Sequence, residues 1–302
     1  MRLSVVVTIV DAGRALERCL TALATQQGSP DVEVIVPWDD TVPGIPDLSR
    51  RFPAFRFLAL GGLATERGAH TAAGQHELFD RRRAAGLRQA GGDVIAMLED
   101  RGVPTPDWAR TMIRLHEALP HAVIGGAVDN GRDGLLQWAV YYCDFHRYQR
   151  PFAAGGRGYA SDVNIGYKRR ALEATADLWR TEYRETTVNW ALLRAGETLY
   201  VTPELRVEQH REHLTLAALV AERFAWGRLF ARTRARETSR ARRAVLTLSS
   251  PLLPVLLMAR HVRLQAVKRV RPSAFLRAAP VLFGLLAAWS VGEAAGYLTA
   301  DP

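Results

Sequence analysis

Apolar residues open the chain as one continuous run over 3–10, rich in valine and isoleucine. An uninterrupted β-branched run of this length marks a strand covered on both faces. The period then lengthens, and Leu16, Cys19, Leu20 and Leu23 fall on one side of a helix. A second buried strand is predicted over 32–36, stopped by Pro37, and a third over 55–60. Residues 76–90 read as a helix with Leu78, Phe79 and Leu87 set among basic side chains, and 93–98 as a fourth strand. Pro106 opens a helix carrying Trp108, Met112, Ile113 and Leu115, and 123–128 is a fifth strand. This alternation predicts an α/β fold with a mostly parallel sheet and helices on both faces. Ligands in such sheets bind beyond the C-terminal strand ends, so the residues after positions 10, 36 and 98 should carry the chemistry.

Composition divides the chain. Its 302 residues suggest about two units. The formal net charge is +9 with a sequence pI near 10.1, and only Lys168 and Lys268 are lysines, so the charge is nearly all arginine. Between Arg206 and Arg277 sixteen Arg and Lys face four acidic residues, which sets a boundary near 210. The expected organisation is therefore an α/β catalytic domain over 1–210 and a basic helical region over 211–302. Two apolar stretches, 244–259 and 278–298, lie in that region with arginines beside both; the first holds Pro251 and Pro254 and the second Glu293. Membrane association through an anionic surface is the preferred reading, with a buried helical hairpin as the alternative. The N-terminus runs straight into a strand without signal-peptide architecture, so the catalytic part is expected on the cytoplasmic face of the membrane. Two cysteines far apart exclude a disulfide scaffold and a cysteine-based zinc or iron–sulfur site. The basic balance brings no nucleic-acid-binding motif or interleaved basic and aromatic stripe with it, so nucleic acid is not the expected partner.

Acidic residues stand at the predicted strand ends: Thr8-Ile-Val-Asp11 after the first, Trp38-Asp39-Asp40 after the second, and Glu99-Asp100-Arg101 after the fourth. No Gly-x-Gly-x-x-Gly follows the first strand, and no P-loop, His-Glu-x-x-His or Gly-x-Ser-x-Gly occurs. Carboxylates so placed can hold a hard divalent cation against a diphosphate, or can serve as helix caps.

Several segments, taken in order, resemble a known family. LSVVVTIVDAGRALERCLTAL over 3–23 and VEVIVPWDDT over 32–41 are similar to the opening of a family 2 glycosyltransferase of the GT-A fold. Arg83-Ala-Ala-Gly86, GGDVIAMLED over 91–100 and VPTPDW over 103–108 resemble its Arg-Asn-x-Gly helix, its D-x-D strand end and its Pro-x-Pro-x-Trp. Asn164-Ile-Gly-Tyr-Lys-Arg-Arg170 resembles its acceptor-side segment, and the stretch from Glu185 to Gly196 its Glu-Asp helix.

The resemblance implies a membrane-associated inverting transferase that takes a nucleotide-diphospho-sugar donor to a lipid-linked or polysaccharide acceptor of the cell envelope. It implies that Thr8, Val10, Asp11 and Asp39 line the nucleoside pocket. Arg83 would approach the diphosphate together with Asp100 and Arg101, and Glu99, Asp100 and His210 would hold Mg²⁺ or Mn²⁺. Glu185 would be the general base, with Asp162 and Asn164 on the acceptor side. The chain differs from the family pattern at Trp38, where the first of two Asp is usual, and at Ala84 and Thr186. It differs also at Arg101, a cation in the last D-x-D position, which implies partial metal dependence because arginine can meet phosphate oxygens directly. A catalytically silent scaffold and a nucleotidyltransferase on a similar sheet remain alternatives.

Overall fold

A computed structural model describes residues 1–28 and 31–299. The chain has an α/β fold, with a mixed nine-stranded sheet flanked by helices. The strands are β1 (Leu3–Thr8), β2 (Val32–Trp38), β3 (Arg56–Ala59), β4 (Val94–Glu99), β5 (Gly102–Pro104), β6 (Val123–Asn130), β7 (Gly155–Arg157), β8 (Asn164–Lys168) and β9 (Leu199–Gln209). Their order is β3-β2-β1-β4-β8-β6-β9-β5, with β7 paired to β9.

The first four strands are parallel. Every residue of β1 is buried, as the β-branched run requires of a strand sandwiched between helix layers. The predicted fifth strand exists as β6, but it is not the neighbour of β4. The short segment β8 inserts between them, antiparallel to both. The sheet is therefore less parallel than the apolar pattern suggests, because β8 has too few β-branched residues to announce itself. The ends of β1, β2 and β4 lie side by side, with Thr8 opposite Glu99 and Trp38 opposite Ala59.

The helix Ala72–Gln89 lies over β1, and Gly86 is what allows it. A Cβ at that position would come 2.4 Å from Val6 Cγ1. The buried side of this helix includes Asp80, Arg82 and Arg83 as well as Leu78 and Leu87, so it turns charge, not only hydrocarbon, toward the strand ends.

The chain divides into two compact units that are not consecutive in sequence. The first comprises Met1–Ala69, Gly74–Gly131 and Tyr148–His210; the second comprises His70–Ala73, Arg132–Arg147 and Arg211–Pro302. The sequence boundary near 210 thus misses one element: the helix Leu135–Phe145 groups with the C-terminal helices. Within the second unit Tyr142 meets Phe275 edge to face, with ring centroids 5.2 Å apart. Trp138 and Tyr141 pack against Tyr142, and Phe145 against Tyr141, so these aromatic side chains form core.

The helices Leu216–Ala235 and Pro272–Leu298 cross closely. A Cβ on Gly227 would lie 2.2 Å from the Trp289 carbonyl oxygen, and one on Gly292 would lie 2.1 Å from that of Phe224. Glu293, the one acid in the second apolar stretch, accepts from Tyr297 Oη at 3.0 Å and from Trp289 Nε1 at 3.2 Å. Residues 240–268 form a nearly continuous helical run, Arg240–Ser249, Ser250–Leu252 and Leu253–Lys268. That run and Pro272–Leu298 are each long and apolar enough to cross a membrane by length and composition.

Candidate active site

The loop after β1 is tied to the end of β4 by Asp100. Its Oδ2 accepts the backbone N–H of Asp11 at 3.0 Å and of Ala12 at 2.7 Å. These are donors at the start of the helix Gly13–Ala24, which no side chain of its own caps. Asp100 is fully buried; burial first, then the nearby Asp11 carboxylate, pushes its carboxyl up to about 7. Next to it Arg101 grips Asp11 with both arms, Nε to Oδ2 at 2.8 Å and Nη2 to Oδ1 at 2.6 Å. Val10 is half-buried in the same loop.

Arg83 sits at the centre of a carboxylate ring. It reaches Asp162 at 2.8 Å, Glu99 at 3.1 Å and Asp80 at 3.5 Å, and donates to Thr8 Oγ1 at 3.3 Å. The acids hold its guanidinium above its usual value against the opposing cost of burial. Glu99 is further held by Gln209 Nε2 at 3.2 Å. Beyond Asp162 comes Glu185, at the first turn of the helix Glu185–Arg194, whose Oε2 accepts the Asp162 backbone N–H at 3.0 Å. Burial first, then the Asp162 charge and side-chain hydrogen bond, raise the Glu185 carboxyl well above the carboxylate range. Glu182 is ion-paired to Arg81 at 3.2 Å and Arg184 at 2.9 Å.

Asp39 lies on the β2 side of the same rim, but Arg82 holds it. Arg82 Nε donates to Asp39 Oδ2, and the same guanidinium donates to the Ile9 carbonyl at 2.8 Å and Thr41 Oγ1 at 3.0 Å. The Thr41 N–H takes the other Asp39 oxygen at 2.9 Å. Burial would raise the Asp39 carboxyl, yet these hydrogen bonds outweigh it and keep it below the ordinary value.

Comparison with known proteins decides what this assembly belongs to. The sequence model described as glycosyl transferase family 2 matches residues 4–175, more than half the chain. The chain belongs to glycosyl transferase family 2. Its fold is similar to that of the mannosyltransferase PcManGT from Pyrobaculum calidifontis, a structure in complex with GDP-Man and Mn²⁺. The identity is 15%, the TM-score 0.52, and the match covers 98% of this chain and 73% of that one. TarS from S. aureus, residues 1–349 in complex with UDP-GlcNAc, matches at 13% identity and a TM-score of 0.49 over 94% of this chain and 90% of that one. No curated protein matches the sequence.

For this glycosyltransferase the structure brings Thr8, Asp11, Arg83, Glu99, Asp100, Arg101, Asp162 and Glu185 to one rim, with Asp39 linked in through Arg82. It does not bring Asn164 there. Asn164 is buried within the sheet, donating to the carbonyls of Ala127 at 2.8 Å and Leu205 at 3.2 Å and accepting Trp108 Nε1 at 2.9 Å. Its amide is taken up in joining β8 to β6 and β9, so the acceptor-side expectation for Asn164 is corrected to a core role.

The expected ligand set for Mg²⁺ or Mn²⁺ also fails to assemble. Among the described residues no three His, Cys, Asp or Glu side chains come together to hold an ion. The His210 ring is stacked over Gly131, where a Cβ would lie 2.2 Å from its Nε2, and it faces Glu208 at 3.4 Å. Glu99 is bracketed by Arg83 and Gln209, and Asp100 is committed to the loop. Of the two acids, Asp100 leaves its Oδ1 buried without a hydrogen-bond partner. One atom with the Arg101 guanidinium acting on it does not fit a cation site. Sequence reasoning missed Arg82 and Gln209; Arg82 adjoins the quoted Arg83 motif, and that adjacency was the available signal.

Proposed function

We propose that the protein is an inverting glycosyltransferase that moves a sugar from a nucleotide-diphosphate donor to a lipid-linked or cell-envelope polysaccharide acceptor at the cytoplasmic face of the membrane. The observation that carries the reading is the placement of two guanidinium groups at the ends of the parallel strands, Arg83 on Asp162, the residue whose N–H binds Glu185, and Arg101 after β4 on Asp11. In the reaction the acceptor hydroxyl oxygen attacks the anomeric carbon while the bond from that carbon to the diphosphate oxygen breaks. Glu185 takes the hydroxyl proton, and the electron pair leaves with the nucleoside diphosphate. A single in-line displacement inverts the anomeric centre. Arg83 and Arg101 neutralise the leaving diphosphate in the low-dielectric rim, the role for which a planar, always-charged donor fork is suited. Thr8, Val10 and Asp11 border the nucleoside, and Asp162 faces the acceptor side.

The membrane reading rests on unit two alone. Val245, Leu248, Leu252, Val255, Leu256 and Val267 are all more than half exposed, and Arg240, Arg242, Arg243, Arg260 and Arg263 lie on either side. Between the arginines the apolar stretch 244–259 spans about 24 Å as a helix, short of the ~30 Å hydrocarbon core. This segment therefore lies in the interface or re-enters on the cytoplasmic side, with arginines on anionic headgroups. The deciding experiment is a thermal-shift screen of UDP- and GDP-sugars with and without Mn²⁺. Stabilisation by at least one nucleotide sugar is expected, and none by any of them would sink the proposal.

A further inference from the structure

A cleft of about 520 Å³ opens in the first unit where β9 parts from its neighbours, within the ~300–1,000 Å³ typical of small-molecule sites. Between β6 and β9 the register jumps: Gly126 stands opposite Thr202, and the next residue, Ala127, opposite Arg206. One step on β6 takes up four on β9, and Pro203 and Glu204 bulge out to form one wall. On the outer side of β9, β7 pairs with 199–201 and β5 with 207–209, leaving 202–206 between them. Asn164 secures the bulge from inside through the carbonyls of Ala127 and Leu205. Gly126 admits it, since a Cβ there would come 2.3 Å from the Leu205 carbonyl oxygen. The opposite wall is the start of the helix Trp108–Ala118, where Asp107, Thr111 and Arg114 recur at helical spacing on one face. Pro151 and Phe152 complete the lining.

The charges of this cleft are balanced. Arg114 holds Glu204 at 2.6 Å, Arg150 holds Asp129 at 2.7 Å, and Asp107 faces the same cleft as Arg206 while accepting Thr105 Oγ1 at 2.8 Å. Three guanidinium groups against three carboxylates leave no net charge to recruit an ion. What remains is a set of planar donors and acceptors side by side, with the half-buried Phe152 ring and two prolines as apolar wall. A pyranose matches both halves: each hydroxyl donates and accepts, and its C–H face packs on an aromatic ring. The cleft also lies on the reacting side of the sheet. In-register partners share a face, and the register runs from Thr8–Glu99 through Met97–Ile165 and Ile165–Gly125 to Ala127–Arg206. Arg206 is thus on the face of Glu99 and Thr8. It stands three residues before Gln209, whose amide holds Glu99, which is about 10 Å along the strand.

Resting on the glycosyl-transfer reading, we propose that this cleft holds a neutral sugar of the acceptor, set back along the chain from the sugar whose hydroxyl reacts. Phe152 carries the ring, and Arg206 and Asp107 read its hydroxyls. The acceptor then arrives as a glycan rather than as a bare lipid or aglycone, so the enzyme lengthens a chain that an earlier sugar transfer has begun.

The test is saturation-transfer NMR on the whole protein, with the methyl glycosides of glucose, galactose, mannose, N-acetylglucosamine and rhamnose as probes at tens of millimolar. At least one is expected to take saturation at its ring C–H protons. Phe152→Ala should abolish that signal, and Arg206→Ala should weaken the affinity at least ~10-fold, about the worth of one hydrogen bond to a charged group. Both variants should keep the thermal shift given by a nucleotide sugar, because neither residue lies on the donor rim; that shift also verifies their folding. If Phe152→Ala does not fold, Phe152→Leu removes the ring while keeping an apolar side chain, and the same loss is expected. Saturation from none of the five glycosides, or saturation undiminished in both variants, overturns the cleft and leaves the transfer reading standing as long as a nucleotide sugar stabilises the wild type. Failure of every nucleotide sugar to do so overturns both.

Discussion

Replacing Arg82 by alanine should be among the most damaging single changes in the first unit. Arg82 and Asp39 have side-chain exposures of 2% and 1%, and the guanidinium also satisfies the Ile9 carbonyl and Thr41 Oγ1. Removing one partner of a buried ion pair leaves an uncompensated charge and costs about 3–5 kcal/mol. At about 2–4 °C per kcal/mol for a unit of this size, the melting temperature should fall by about 6–20 °C. Arg82→Met combined with Asp39→Leu removes both charges and should recover most of that loss, with a coupling of at least ~2 kcal/mol in the double-mutant cycle. The sign with pH follows from Asp39, whose folded carboxyl is held below its unfolded value of 3.8. Its stabilisation is present above about pH 4 and lost as the pH falls through the folded value, so the gap between wild type and Arg82→Ala should close in acid. Calorimetry from pH 3 to 8 measures this. An Arg82→Ala protein melting within 1–2 °C of wild type, to be read as about 1 kcal/mol or less, would refute the claim that Asp39 is held as a strut.

Glu185→Gln should reduce transfer by at least ~10²-fold while leaving donor affinity intact, as read by turnover and isothermal titration. Because the Glu185 carboxyl is raised in the folded protein, its contribution to stability falls as pH climbs from its unfolded value through the folded one. Glu185→Gln should therefore melt at or above wild type at pH 8, with the difference shrinking toward pH 4; a lower melting temperature at pH 8 would contradict the burial argument. Asp100→Ala leaves the Asp11 and Ala12 N–H groups without their acceptor and should cost about 1–3 kcal/mol, whereas Asp100→Asn keeps an acceptor and should be far milder; equal denaturation midpoints would count against the tether. Because no cation site assembles, chelator should leave wild-type activity largely intact, whereas Arg101→Asp should create a metal requirement; complete loss of wild-type activity in EDTA with Arg101→Ala unaffected would exclude a phosphate role for Arg101. Ala266→Cys in intact cells should resist an impermeant external thiol reagent, and labelling would place the 260–277 segment outside.

The strand ends were legible because buried parallel strands write themselves as apolar runs, and 3–10, 32–36 and 93–98 each led to a rim residue. What the pattern could not give was the internal wiring of that rim. A buried arginine looks in sequence like an exposed one, so the helix carrying Arg82 and Arg83 read as a basic surface helix with an apolar stripe. Asp39, Glu99 and Asp100 were visible as acids at the right places. Their partners come from distant segments, Arg82 for Asp39 and Gln209 for Glu99, and no local spacing encodes such pairings. Asn164 shows the converse: a polar residue in a motif-like stretch turned out to serve the sheet, because β8 is too short to declare itself as a strand.

The division of the second unit along the chain bears on how this protein is made and how it can be cut. The helix Leu135–Phe145 leaves the ribosome more than a hundred residues before Phe275 and the helix that covers it, a delay of roughly 10–30 s at ~5–20 residues per second. For that interval Trp138, Tyr141 and Tyr142 have no partner from the C-terminal helix. A fragment ended at residue 210 makes the delay permanent, carrying a bare aromatic helix in its middle and inviting aggregation. The C-terminal helices act as a built-in chaperone for an element encoded long before them, so solubilising the protein by trimming its apolar tail removes the cover along with the exposed apolar side chains.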